Sequence, residues 1–168
     1  MAFDVEPWHD FYVMTGGAAA ALTGLLFVAM SLHARDIMAN PFFSNRAIGT
    51  LMSLVSQLLI SGAVLIPGQS LVLVGAEVEA MALFFLGFIV LQIVRRPAEA
   101  PTVASTWTHR FLEFGGGTAW IVLFNAAGVS LLIQAGAGLY LLAVVMSFMF
   151  IWNIYIAWVL ITEVSEAG

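Results

Sequence analysis

The sequence predicts an all-α integral membrane protein, a bundle of five transmembrane helices with the N-terminus outside and the C-terminus in the cytoplasm. Three observations carry that expectation. The 168 residues are 62% hydrophobic and only 9% charged, whereas soluble domains carry about 25% charged residues, and a soluble chain so composed would expose aggregating apolar patches. Five apolar segments each suit a hydrocarbon core about 30 Å thick, which takes about 20 residues of helix. All five basic residues are arginines, and a five-helix path puts every one on the same side.

The spans follow in order. The first runs over about 11–32, the second over about 47–66, and Pro67-Gly68 turns the chain into the third, about 71–94. The stretch 47–94 is far too long for one crossing, so the proline marks a turn rather than a kink. The fourth span covers about 118–133, the segment Gln134-Ala135-Gly136 turns, and the fifth covers about 139–161. Arg35 and Arg46 fall between the first two spans, and Arg95, Arg96 and Arg110 between the third and fourth. The positive-inside rule makes that side cytoplasmic. The acidic opening "MAFDVEPWHD" lacks the positive region of a secretory signal, so residues 1–168 read as a single membrane domain.

Within the second cytoplasmic connection, Trp107, Phe111 and Phe114 repeat at i, i+4, i+7 and share one helical face, which predicts a short interfacial helix before the fourth span. Trp8 and Tyr12 at one boundary and Trp107 and Trp158 at the other suit aromatic belts.

The first span is unusual in its small residues, "TGGAAAALTG". Helices already in lipid associate by close backbone approach, so small residues mark contacts. Gly16, Ala20 and Gly24 recur every four residues, and Gly17 and Ala21 repeat the spacing one step round. This double small-xxx-small face predicts close packing against another helix or a neighbouring subunit. Asn125 in the fourth span adds a candidate interhelical bridge.

Acidic residues inside a span are costly and point to function. Only the third span has them, Glu77 and Glu79. Counted from the Pro67-Gly68 turn, Glu79 lies about 15 Å deep, near the midplane. Two residues along a helix turn about 200°, so the two acids point to opposite sides. On the second span Ser53, Gln57 and Ser61 form a polar stripe, which an antiparallel hairpin sets level with Glu79. Three roles for Glu79 stay open: a hydrogen bond to Gln57, a place on a hydrated cation pathway, or a proton that comes and goes during transport.

Other classes find little support. With no cysteine there is no disulfide framework or thiolate site, and a basic nucleic-acid face is missing. His9, His33 and His109 have no ligand spacing with other donors, so no metal or cofactor is expected, and no catalytic motif points to an enzyme. The expected function is a homo-oligomeric channel or transporter for cations, protons included, built on Glu79 and Glu77 with Gln57, Ser53 and Ser61. The alternative is a non-transporting accessory or scaffold subunit of a larger membrane complex, docked through the Gly/Ala face of the first helix. The expected partners are the lipid bilayer, further copies or subunits, and an inorganic cation. The expected location is a bacterial inner membrane.

Overall fold

A computed structural model describes residues 5–94, 121–135 and 137–167, and among these there are helices and turns but no strand. The elements are α1 (His9–Leu32), α2 (Ala34–Ala39), α3 (Pro41–Leu65), α4 (Leu71–Val94), α5 (Ile121–Leu132) and α6 (Gly138–Ala167). A 3-10 turn, Glu6–Trp8, with Pro7 in its first positions, leads into α1. Four helices, α1, α3, α4 and α6, are long and apolar enough to cross a membrane. The segment predicted as the fourth span contains the shorter apolar helix α5, whose 12 described residues rise about 18 Å. The residues before Ile121, including the predicted interfacial helix and Arg95, Arg96 and Arg110, lie outside the described residues.

Apolar surroundings offer backbone groups no water, so each must be satisfied within its own helix. The side-chain hydroxyls follow the same rule. Thr23 donates to Ala19 O at 2.7 Å, Thr50 to Arg46 O at 2.9 Å, Ser56 to Met52 O at 2.7 Å and Thr162 to Trp158 O at 3.1 Å. A hydroxyl that bonds the carbonyl four residues back can sit in an apolar helix without an orphaned donor.

The connection between the first two spans is itself helical. His33 interrupts the path, its Nδ1 3.2 Å from Ala29 O. The six residues of α2 follow, and Pro41 then opens α3, a first-turn position where the missing N–H costs nothing. Arg35 is exposed on α2, and Arg46 sits in the second turn of α3 rather than in a loop.

The turns have definite chemistry. Gln69 N donates to Ile66 O at 3.2 Å across Pro67 and Gly68, with Gly68 at φ 75°; proline then a left-handed glycine is the type II pattern. At the end of α5, Gln134 N donates to Leu131 O (3.2 Å) and Ala135 N to Ser130 O (2.9 Å). These two bonds make a Schellman cap, with Gln134 at φ 54° where glycine is usual.

The chain divides into two compact units: Phe3–Gln69 with Met146–Gly168, and Ser70–Val145. In the first, α1 and α3 run antiparallel. Thr15 meets Ser61 near one end, and near the other Met30 and Phe43 pack on a cluster of Ile37, Ala47 and Leu160. One residue back along α3 for each residue along α1 is the register that two antiparallel rods of equal rise must keep. The later part of α6 joins this unit in the same sense, with Asn153 against Ser53 and Leu160 in the Ala47 cluster. In the second unit α4 and α5 approach at glycines, and Gly138 at the start of α6 folds back on Leu131.

Candidate functional site

The acids of α4 separate as their spacing requires. Gly75, Val78 and Ala82 are buried and define the inward side of α4; Glu79 stands next to Val78, half-buried, while Glu77 is exposed. The structure thus distinguishes two residues that sequence alone leaves equivalent.

What Glu79 meets is backbone. A Cβ built on Gly128 of α5 would stand 2.6 Å from Glu79 Oε2 and 3.3 Å from Glu79 N. The carboxyl oxygen therefore rests where any other residue at 128 would place its side chain. One turn away along α4, a Cβ on Gly75 would meet Leu131 Cβ and Leu132 N at 2.9 Å and Gly128 O at 3.1 Å. Gly75 and Gly128 thus let α4 and α5 touch backbone to backbone, as small residues do in closely packed membrane helices. Glu79 Oε2 is buried there with no hydrogen-bond partner among the described residues. An acid in that position is either a donor or a pure acceptor, depending on its proton, and a buried oxygen left without a partner is costly.

Asn125 stands one turn before Gly128 and uses one of its two amide donors within its own helix. Nδ2 donates to Ile121 O of its own helix at 2.6 Å. In the first unit an asparagine does bridge two helices, where Asn153 Nδ2 of α6 donates to Ser53 Oγ of α3 at 2.9 Å.

The polar stripe of α3 lies in the first unit and faces its interior. Thr15 Oγ1 stands 2.9 Å from Phe11 O and 3.3 Å from Ser61 Oγ, and either hydroxyl can donate to the other. Ser61 is 1% exposed and Gln57 0%, and neither Gln57 Oε1 nor Nε2 has a hydrogen-bond partner among the described residues. Tyr12, expected in an aromatic belt, is fully buried, its hydroxyl without a partner among the described residues and its ring against Trp8 and Phe11.

The small-residue face of α1 divides into a part packed within the chain and a part left exposed. Gly16 packs as expected, with a built Cβ only 2.9 Å from Ser61 Cβ. Ala20, Ala21, Gly17 and Gly24, however, are exposed, and nothing lies within 4 Å of a Cβ on either glycine. The buried positions are Tyr12, Thr15, Gly16, Ala19 and Leu26, a 3–4 spacing that describes one stripe. A helix shows one partner a single arc, so stripes displaced around the axis cannot both be buried by α3.

Sequence reasoning missed Gly128. Its signal, a glycine after two alanines in "NAAGVS", is the small-residue cue that singled out α1. No group of three or more histidine, aspartate and glutamate side chains gathers among the described residues. The chain matches no protein-family model, and searches of curated proteins and of solved structures find no similar protein.

Proposed function

We propose that this chain is a subunit of a homo-oligomeric cation-conducting membrane protein, and that Glu79 is the acid that admits the ion or proton. The observation that carries the reading is the buried Glu79 oxygen, which has no hydrogen-bond partner among the described residues and rests where a side chain at Gly128 would begin. A purely structural acid gains from filling its bonds, whereas an acid that exchanges a proton or cation needs an open coordination position. Rings of such acids select cations in pores, and one small chain supplies a single Glu79, so several copies form the ring. Exposed Glu77 takes a secondary place facing a neighbouring copy. In this reading the chain crosses a bacterial inner membrane five times, N-terminus out and C-terminus in, with Arg35 and Arg46 at the cytoplasmic side.

The test is ion flux in proteoliposomes, with K⁺, Na⁺ and proton gradients, for the natural chain and its Glu79→Gln and Glu77→Gln variants. Cation flux that Glu79→Gln abolishes or reselects is expected. Unchanged flux and selectivity in Glu79→Gln removes Glu79 from the pathway.

A second reading, a non-transporting scaffold subunit, is favoured by the exposed Gly17, Ala20, Ala21 and Gly24 face of α1. There Gly24→Leu breaks the assembly while the chain still inserts, and the natural chain conducts nothing over a range of pH and voltage.

A further inference from the structure

Three hydrogen-bonding levels succeed one another along the inner side of α3. Ser61 pairs with Thr15 of α1, and Ser53 pairs with Asn153 of α6. Gln57 stands between them, fully buried, with neither end of its amide partnered among the described residues. An amide carries two donors and two acceptor lone pairs. Burying it unsatisfied costs more than any neighbouring packing contact returns, and leucine or methionine would fill the same volume at no such cost.

We infer that Gln57 is the anchor of an internal water site in the first unit. Ser53 and Ser61 sit one turn to either side, about 6 Å of rise. That exceeds a direct hydrogen bond of about 3 Å and matches the two such bonds that one bridging water makes. The antiparallel register puts Ala19, itself fully buried, across from Gln57, so the facing side chain is a single methyl. A buried water takes about three hydrogen bonds from otherwise unsatisfied polar groups, and the Gln57 amide supplies donor and acceptor together. The donor set is neutral, the Ser53 and Ser61 hydroxyls and the Gln57 amide, and it suits a neutral protic ligand better than a bare cation. The inference does not depend on conduction through Glu79, because it rests on residues of the other unit.

The experiment uses the full chain in detergent micelles, selectively ¹⁵N-labelled at glutamine. The Gln57 side-chain resonance is assigned by its disappearance in Gln57→Met. Magnetisation transfer from water to the Gln57 Nε2 protons in the natural chain, of the sign that marks a long-lived bound water, is expected. Its absence overturns the inference. Gln57→Met gives a second reading that does not depend on the spectrum. If water satisfies the amide, the melting temperature changes little, since lost bonds and relieved desolvation offset. A marked rise means the amide was truly orphaned and overturns the site. Movement of the Gln57 resonance when Na⁺ or K⁺ replaces a large organic cation assigns the position to a metal ion and likewise overturns it.

Discussion

Gly75→Ala should be the more damaging of the two single-methyl changes at the α4–α5 crossing. The added carbon would stand 2.9 Å from both Leu131 Cβ and the Leu132 backbone nitrogen, and 3.1 Å from Gly128 O. Ordinary contact begins near 3.4 Å, so α4 and α5 must part by about half an ångström, and neither backbone atom can rotate aside. A gap of about that size forfeits a quarter or more of each dispersion contact along the crossing, and overpacking of this kind costs about 1–3 kcal/mol. Alanine's better helix propensity returns at most about 1 kcal/mol. With the full propensity gain, a net loss of up to about 2 kcal/mol is expected. Gly24→Ala is the control, since a Cβ there meets nothing within 4 Å, and it should be neutral or slightly stabilising. Both are measured by titrating the chain in mild-detergent micelles with dodecyl sulfate and following tryptophan fluorescence. Equal midpoints for the two variants would refute the backbone-to-backbone crossing.

Three further outcomes rest on equally local geometry. Gly16→Ala should destabilise α1 against α3 by about 1 kcal/mol, and Ser61→Gly in the same chain should recover part of it by removing the opposing Cβ; the same titration reads both. Gly128→Ala meets the mobile end of Glu79 rather than backbone at its closest point, so the stability loss should be smaller than at Gly75 while the carboxyl moves. An isotope-edited infrared carboxyl band that differs from the natural chain reports the move, and an unchanged band counts against Glu79 resting on Gly128. Gln134→Gly should stabilise the α5–α6 turn by about 0.5–1 kcal/mol, because glycine holds the left-handed cap without a Cβ; a lower unfolding midpoint would contradict the cap assignment.

The long helices were legible because an apolar run of about 20 residues has few other uses. Leu71–Val94 coincides with its predicted bounds. The second span begins earlier than its apolar run suggests, because Pro41 starts a helix whose first turns carry Asn45 and Arg46; hydropathy marks the apolar stretch, while backbone geometry sets where the helix starts. The rotation of Glu77 away from Glu79 follows from helix geometry, but which of them turns inward is decided by Gly75 and by Gly128, a partner more than forty residues away in sequence. The two small-residue stripes of α1 look equivalent in sequence for the same reason. Only the position of Ser61 separates Gly16 from Gly17.

The first unit is discontinuous in sequence, and that bears on the order in which a ribosome delivers it. α1 emerges before α3, so the side that receives Ser61 is already waiting when the polar stripe leaves the exit tunnel. Asn153, the partner of Ser53, belongs to α6, a hundred residues later in the chain. Until α6 has been made, Ser53 lacks that partner, and a chain truncated before α6 presents an unfinished polar seam that quality-control proteases can recognise.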